Sequence, residues 1–395
     1  MKQLLLSGTR TRFWIVFALA VGAYFVSSGF AAPTAYNNYS LLADAMIHGH
    51  VWIDRPSPAI DAVTFQGSYF IVEAPLPAIL MIPLALFFGT MANQTLACVI
   101  CGGFAVAAAD LMFSRMQMPT SIQTWLVVAL ALGTDLWWCS AFGAVWMFAH
   151  VATVMFLMLA LGEWYGERRN WLVGFLLGCA VLCRFPVILS VPVFLLWEMR
   201  SLNRQYLKNA AYILAGLAPA VVFEIIYNYA RWHVPTDLGF MIFYHEDQNM
   251  GSPIGSPFSI DHIPFNLYSW LFLAPQFYVQ MPWVRPTGFG VALTFTSPEL
   301  AIAFSAKLNR ETILLWSATL LVAIPALLYF TNGFEQFGMR HTLDFTPFLF
   351  CLIARGLQQR PSGTSFVLVI AACLANAYGV WYSWAYHAFS VVPQL

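Results

Sequence analysis

Three polar segments of this sequence combine side chains that can move protons with side chains that can bind phosphate. Carboxylates accept a proton from a hydroxyl group, and arginines hold phosphate oxygens through charge-assisted hydrogen bonds. A site that joins the two kinds of group can activate a hydroxyl nucleophile and stabilise a phosphate leaving group. The candidate residues in these segments are Asp44, Asp61, Glu73, Tyr244, His245, Glu246, Arg340 and His341.

Two arginines are candidates for phosphate binding. Arg340 precedes His341 and lies four residues before Asp344, a spacing that also allows a plain ion pair on one helix face. Arg184 stands between two apolar runs, in the sequence Cys183-Arg184-Phe185-Pro186. A structural arginine whose charged end reaches the membrane surface explains Arg184 equally well, so both interpretations remain open.

The composition requires a membrane as the solvent. Hydrophobic residues make up 60% of the 395 residues and charged residues 9%, which leaves too little polar surface for a soluble globule. A bilayer core about 30 Å thick needs roughly 20 apolar residues per helix, and many apolar runs here approach that length. Because backbone groups in lipid must bond within their own segment, we predict helices. The formal net charge of zero gives no indication of a nucleic-acid partner.

Eleven spans account for the apolar runs and predict an all-α polytopic transmembrane helix bundle. The bundle is one domain over residues 1–395, with the N-terminus inside and the C-terminus outside. A cleaved signal peptide at 13–32 is a less favoured alternative, because a signal core usually has about 7 to 15 residues. The stretch 289–306 is the weakest span, since Ser297-Pro298-Glu299 interrupts it. The predicted spans are 13–32, 95–113, 121–138, 146–162, 171–184, 186–198, 209–228, 289–306, 312–330, 342–357 and 364–386.

The distribution of charges supports this orientation. With it, thirteen of the eighteen basic residues lie in the predicted inner loops, as the positive-inside rule requires. Most acidic residues and all eight histidines fall on the opposite side. We therefore expect the working surface on the periplasmic or extracellular face of an inner (plasma) membrane. The basic residues predicted outside are Arg55, Arg184, Arg231, Arg285 and Arg340.

Three predicted outer loops hold the candidate residues, at 33–94, 229–288 and 331–341. In the first loop, an amphipathic helix with Leu41, Leu42, Ala45 and Met46 on one face ends at Gly49. The short, proline-containing run 75–89 predicts a re-entrant or interfacial helix that closes this loop. Loop residues therefore lie over the bundle, which can receive the apolar tail of a lipid carrier.

Several short motifs, in order along residues 36–357, resemble the GT-C superfamily of polytopic glycosyltransferases, including its protein-mannosyl and aminoarabinose branches. The resemblance implies a GT-C-like fold and a polyprenyl-phosphate-linked sugar as donor. It also implies a site built from the first long outer loop and later loops. Within that site we predict that Tyr36 and Asn37, with His341, contact the sugar or the phosphate. The motifs are Ser40-Leu41-Leu42-Ala43-Asp44-Ala45, His48-Gly49, Gly67-Ser68-Tyr69-Phe70, Glu73-Ala74-Pro75-Leu76-Pro77, Gly133-Thr134-Asp135-Leu136-Trp137-Trp138, Arg184-Phe185-Pro186, Tyr227-Asn228-Tyr229-Ala230-Arg231-Trp232 and Gln336-Phe337-Gly338-Met339-Arg340-His341.

The sequence departs from the superfamily at the place of the usual base. Many members carry an acid or an acidic pair where this chain has Asn37 and Asn38, and an amide cannot act as a base. In two branches a Glu-Lys pair precedes the proline, whereas here Ala74 follows Glu73. Either another loop acid takes the basic role, or transferase activity has shifted or been lost. The acids that remain for this role are Asp44, Asp61 and Glu73.

We therefore hypothesise a membrane glycosyltransferase that moves a sugar from a polyprenyl-phosphate-linked donor to an extracytoplasmic glycan, lipid or protein. Asp61 or Glu73 is the predicted base or acceptor-positioning group, and Arg340 is the predicted phosphate clamp. A divalent ion held by Glu73 and His245 is a weak further expectation, because two ligands are few. The alternative is a non-catalytic bundle that acts as a transporter or a lipid-handling partner. An unrelated acyl or phosphoryl transferase is disfavoured by the lack of a nucleophile motif.

Overall fold

The computed structural model describes residues 2–54, 56–199, 204–246, 257–359 and 362–392, and it confirms the predicted all-α polytopic bundle. The α-helices are α1 (Lys2–Ser27), α2 (Asn38–Ile47), α3 (Leu76–Phe88), α4 (Gln94–Arg115), α5 (Thr120–Gly133), α6 (Leu136–Phe142), α7 (Val145–Tyr165), α8 (Asn170–Cys183), α9 (Val191–Glu198), α10 (Arg204–Trp232), α11 (Gly239–Glu246), α12 (Ile263–Phe272), α13 (Leu293–Thr296), α14 (Arg310–Leu328), α15 (Thr346–Gln359) and α16 (Gly363–Tyr386). The strands are β1 (Ala62–Phe65), β2 (Ser68–Ile71), β3 (Gln276–Phe277) and β4 (Val284–Arg285). Single 3-10 helices cover Gly89–Met91, Phe185–Ser190, Ile260–His262, Pro298–Ser305 and Arg340–Asp344.

Six helices in the described part of the chain are long and apolar enough to cross a bilayer. They are α1, α4, α7, α10, α14 and α16. The pair α5 and α6, bent by 50° at its break, forms a seventh if it counts as one span. The other predicted spans at 171–184, 186–198 and 342–357 coincide with shorter apolar helices. The chain is therefore an integral membrane protein, while its eleven-span count and its orientation stay predictions.

The prediction of a continuous span at 289–306 is wrong. The segment divides into α13 and the 3-10 helix Pro298–Ser305, with the break at Ser297. Pro298 has no N–H to donate, so a regular helix cannot continue through it. Neighbouring helices bond to the interrupted segment instead: Ser297 Oγ donates to the Gly133 carbonyl at 3.0 Å, and Asn376 Nδ2 donates to the Thr296 carbonyl at 2.7 Å.

The first predicted outer loop contains a β-hairpin that our sequence analysis missed. Strands β1 and β2 pair antiparallel, with Ala62 opposite Ile71 and Phe65 opposite Ser68. Gln66 and Gly67 form the two-residue turn, both at positive φ, which matches the right-handed twist of a hairpin. Two apolar side chains of the hairpin, Val63 and Phe70, are buried in a small cluster with Trp232 at the end of α10. The hairpin is thereby held against the bundle.

The two helices of this loop agree with the sequence-based prediction. Helix α2 ends two residues before Gly49, and most of its residues are buried. Helix α3 has 13 residues, which span about 20 Å and fall short of a bilayer core of about 30 Å. Its last residues, including Phe87 at 82% exposure, are exposed apolar side chains. These features favour a re-entrant or interfacial helix over a span.

Helices α8 and α10 approach each other through glycine, as the spacing Gly174-x-x-x-Gly178 predicts. A Cβ added at Gly174 would lie 1.9 Å from the Ile213 carbonyl oxygen of α10. A Cβ at Gly216 would lie 1.9 Å from the Trp171 carbonyl oxygen of α8. Backbone atoms cannot yield as a flexible side chain does, so these two glycines set the distance between the helices.

We expect Gly216→Ala to destabilise the protein by about 1–3 kcal/mol, because the added methyl group overpacks the α8–α10 contact. The measurement is the thermal unfolding midpoint of purified protein in detergent. Gly22→Ala in α1 is the matched control, since no atom lies within 4 Å of its added Cβ and alanine favours helix by up to about 1 kcal/mol. Equal midpoints for the two variants would contradict the close contact.

Candidate active site

Two acidic side chains meet at the base of the β1–β2 hairpin. Asp61 immediately precedes β1 and Glu73 follows β2 by two residues, so the antiparallel pairing brings them together. The backbone N–H of Val72 donates to the Asp61 carbonyl at 3.4 Å, and the two carboxyl groups are near enough for each to shift the pKa of the other. Asn38 Nδ2 of α2 donates to Glu73 Oε2 at 3.2 Å, and Trp146 Nε1 of α7 donates to Asp61 Oδ2 at 2.8 Å.

Burial and mutual repulsion favour one shared proton on this carboxyl pair. Burial is the main cause that raises the pKa of Glu73 well above its usual range, and the neighbouring Asp61 raises it further. Burial also raises the pKa of Asp61, against the Glu73 and Trp146 hydrogen bonds and the charge of Arg340, which lower it. Glu73 therefore carries the proton and Asp61 the negative charge. In this state Asp61 is a base that faces two donors and a cation.

Arg340 lies beside the acids in a buried position. Its Nη1 donates to the Phe334 carbonyl at 2.8 Å and to Gln336 Oε1 at 3.0 Å, and its guanidinium carbon lies 5.7 Å from the Trp146 ring centroid. Burial is the main cause that lowers the pKa of Arg340 to about 10, so it remains a cation at neutral pH. Its Nε has no hydrogen-bond partner in the described part of the protein. This N–H is buried, so an anion that reached it would not have to replace an existing hydrogen bond within the described residues.

A second polar cluster joins the 3-10 helix Arg340–Asp344 to α7 and to the end of α8. Asp344 accepts from His150 Nδ1 at 2.6 Å and from Arg184 Nε at 3.1 Å. Arg184 Nη2 lies 3.2 Å from His341 Nδ1. The rings of His150 and His341 meet edge to face with their centroids 5.2 Å apart. His150 of α7 and Arg184 at the end of α8 both bond to Asp344, so the cluster fixes the relative positions of these helices.

The hydrogen bonds in this cluster assign the proton of His341. A guanidinium N–H can only donate, so Nδ1 of His341 accepts from Arg184 and the ring proton lies on Nε2. Burial, followed by the positive charge of Arg340, keeps the pKa of His341 well below its usual range, so the ring is neutral. No described residue accepts from the buried Nε2. His341 therefore offers an unused N–H donor next to Arg340.

One sequence-based interpretation changes with this geometry. Arg340 does not pair with Asp344: Arg340 binds the carbonyl of Phe334 and Gln336, whereas Asp344 pairs with Arg184. The i, i+4 ion pair between Arg340 and Asp344 is therefore wrong, because these residues lie in a 3-10 helix whose side chains diverge at that spacing. Arg184, whose side chain is partly exposed, is held by the buried Asp344, and both interpretations of Arg184 stay predictions.

The remaining candidates of the first loop lie apart from the carboxyl pair. Asn37 and Asp44 line a cavity of about 270 Å³ whose lining does not include Asp61 or Glu73. Asp44 also lies 3.7 Å from His48 Nδ1. Tyr36 is closer to the site, since its ring centroid lies 5.0 Å from that of Trp146 and its hydroxyl donates to Ser390 Oγ at 2.9 Å. Among the first-loop acids, Asp61 is therefore the one on which Arg340 acts, and Glu73 is its partner. Asp135, outside this loop, also interacts with Arg340.

The second-loop candidates are only partly described. The hydroxyl of Tyr244 hydrogen-bonds that of Tyr329, whose ring centroid lies 6.2 Å from the ring of His341. The side chains of His245 and Glu246 lie outside the described part of the structure. The described residues contain no cluster of three or more histidine, cysteine or acidic side chains that could hold a metal ion. The divalent ion expected at Glu73 and His245 stays a prediction.

Sequence reasoning missed two residues that position the carboxyl pair. Asn38 was considered as a failed base, whereas its amide donates to Glu73. Arg231, 2% exposed, donates to the Ile71 carbonyl at 3.1 Å and to Asp237 Oδ1 at 3.2 Å, which anchors β2 to the end of α10. A signal was present: two runs rich in β-branched and aromatic residues, separated by Gln66-Gly67, are typical of a hairpin.

Comparison with known proteins assigns no family to this chain. No protein-family model matches the sequence, and no curated protein matches it. Among solved structures, the apo form of the oligosaccharyltransferase from Archaeoglobus fulgidus is similar with a TM-score of 0.48 and 13% sequence identity. The similarity covers 97% of this chain and 56% of that chain, so this chain spans little more than half of that protein's length. A likeness at this level assigns no activity.

We expect the free energy of unfolding of Glu73→Gln, minus that of the wild type, to increase with pH. The raised pKa means that the folded protein holds the Glu73 proton more tightly than the unfolded chain does. This stabilisation is complete below the ordinary glutamate pKa of about 4.3 and is lost as the pH rises through the raised value. Glutamine does not titrate, so the variant does not lose this stabilisation as the pH rises.

The trend is tested by unfolding midpoints in detergent across this pH range. The matched control is Glu167→Gln, at an exposed position. A constant difference between Glu73→Gln and wild type would contradict it.

We expect Asp344→Asn to destabilise the protein by about 3 kcal/mol, because the amide leaves Arg184 without its buried counter-charge and weakens the bond to His150. Thermal unfolding of detergent-solubilised protein measures the effect. Asp44→Asn is the matched control, since the more exposed Asp44–His48 pair contributes about 0–1 kcal/mol. A loss no larger than that of the control would show that the cluster does not stabilise the fold.

Proposed function

We propose that the protein is a membrane glycosyltransferase that transfers a sugar from a polyprenyl-phosphate-linked donor to a hydroxyl of an extracytoplasmic glycan, lipid or protein. The observation that carries the proposal is the pair formed by the half-buried Asp61 and the buried Glu73, with the charge of Arg340 acting on Asp61. A base and a cation in one desolvated site are the two groups that attack by a hydroxyl on a glycosyl phosphate requires. The bilayer supplies the surroundings for the polyprenyl chain.

In the proposed reaction, Asp61 is the base. The acceptor oxygen forms a bond to the anomeric carbon while its proton moves to Asp61, and the bond from that carbon to the phosphate oxygen breaks with inversion. Asp61 suits this role because it is the ionised member of the pair and is held by Trp146 at 2.8 Å. Glu73, fixed by Asn38, keeps its own proton and donates to Asp61. Fixed geometry of this kind lowers the barrier through orientation.

Three donors serve the phosphate leaving group. Arg340 offers Nε, which has no partner in the described residues, and His341 offers the N–H at Nε2. Arg184 adds a second positive charge, which its bond to Asp344 holds in place. As the phosphate takes up negative charge in the transition state, these donors are already oriented and need not reorganise. Tyr36 contacts Trp146 and is placed to pack against the sugar.

We expect Asp61→Asn to reduce the transfer rate about 10²–10⁴-fold, because asparagine cannot accept the proton. We expect Arg340→Gln to reduce it about 10²–10³-fold, because the leaving group loses its cation. The assay measures release of polyprenyl phosphate from a radiolabelled polyprenyl-phosphate sugar by purified protein in detergent. Asp261→Asn, an exposed acid that bonds to Ser259, is the matched control and retains the wild-type rate.

Two outcomes contradict the proposal. One is folded wild-type protein that neither binds nor turns over any polyprenyl-phosphate sugar offered to it. The other is turnover that Asp61→Asn and Arg340→Gln leave unchanged. Binding without turnover, together with ligand movement across proteoliposomes, would instead identify a transporter or a lipid-handling partner.

A further inference from the structure

A second polar cavity lies at the opposite end of the bundle from Asp61 and Glu73. Helix α7 connects the two places: Trp146 near its first residue bonds Asp61, and Tyr165 at its last residue lines the cavity. Nineteen residues of α-helix separate them, or about 28 Å. The cavity measures about 440 Å³, within the range of about 300–1,000 Å³ common for small-molecule sites. It is too distant to be part of the candidate active site.

The cavity is lined by an excess of positive charge. Its lining includes Arg168, Arg310 and Arg355 but one acid, Glu311, which leaves a net charge of +2 among these four side chains. Glu311 is already engaged, since it accepts from Arg355 Nε at 2.9 Å and from the Tyr165 hydroxyl at 2.8 Å. Its charge is therefore largely balanced by Arg355.

The other two arginines have weaker counter-charges. Arg310 Nη2 donates to the carbonyls of Leu196 and Met199, which hold the guanidinium group in place without neutralising it. Arg168 stacks on Trp164 at 4.5 Å and lies 3.9 Å from Glu198, beyond hydrogen-bonding distance. Asn309 and Arg310 also begin α14, so the positive end of a 19-residue helix faces the same cavity. Fixed donors, excess cations and a helix N-terminus together favour an anion.

We propose that this cavity binds a phosphate group, presented either by an anionic lipid headgroup or as free phosphate. Arginines form forked hydrogen bonds with phosphate oxygens, and Arg310 and Arg168 approach the cavity from α14 and from the turn after α7. A bound phosphate therefore links α7, α14 and α15, the helix that carries Arg355. The site stabilises this end of the bundle and takes no part in the transfer chemistry proposed above.

The test is thermal unfolding of the full-length protein, which reads stability and needs no turnover. One arm titrates inorganic phosphate against chloride at equal ionic strength in detergent. The other compares nanodiscs of phosphatidylglycerol with nanodiscs of phosphatidylcholine. We expect phosphate or phosphatidylglycerol to raise the unfolding midpoint, as a ligand that binds the folded state must. If phosphate and phosphatidylglycerol both raise the midpoint, free phosphate is sufficient for binding. If phosphatidylglycerol alone raises it, the ligand is the lipid headgroup.

Arg310→Gln should raise the half-saturating ligand concentration about tenfold, the effect of losing one hydrogen bond to a charged group. Arg168→Gln provides a second variant, because its side chain is 40% exposed and its loss disturbs the fold less. Arg204→Gln at the exposed start of α10 is the matched control and should respond like the wild type. The proposal is overturned if neither ligand stabilises the wild type, or if both cavity variants respond as Arg204→Gln does.

Discussion

The candidate active site depends on one constraint, which is that two neighbouring carboxyl groups, one buried and one half-buried, resist ionising together. Two negative charges at hydrogen-bonding distance repel strongly where water is excluded. One proton removes half of that charge and supplies the hydrogen bond between Asp61 and Glu73. The remaining charge is met by the Trp146 N–H and by the nearby Arg340. Each of these neighbours belongs to a different element, so the acids connect the hairpin to the bundle.

Anions and cations face one another in the two polar clusters before any ligand binds. Asp61 and Asp344 are acids of these clusters, and Arg184 and Arg340 are their cations. A further buried acid, Asp135, also interacts electrostatically with Arg340. In the proposed reaction the proton moves to Asp61 as the phosphate gains a negative charge. The negative charge therefore passes from one neighbour of Arg340 to another, and the total charge of the site stays constant. A transfer of this kind requires little reorganisation of the surrounding dipoles.

The sequence allowed prediction of the apolar helices, because hydrophobic length is a local property. It also named the first-loop acids and Arg340 as candidates, and the structure places Asp61 near Glu73 and Arg340. The sequence did not allow prediction of which side chains pair with one another in the folded protein. Asp344 was matched with Arg340 by spacing, although its partners Arg184 and His150 lie more than 150 residues away in the chain. The meeting of Asp61 and Glu73 depended on hairpin register, which Gln66-Gly67 could have indicated.

The asparagine at position 38 follows from the same constraint. An acid there would place a third carboxylate against Glu73, where Asn38 Nδ2 now lies 3.2 Å from Oε2. Three neighbouring acids would need a second proton or another cation to limit their repulsion. Arg340 is already engaged, since it interacts with the charge of Asp61 and donates to the Phe334 carbonyl and to Gln336 Oε1. An amide supplies a donor without charge. An amide at position 38 is therefore compatible with the base proposed at Asp61, which receives the Trp146 N–H.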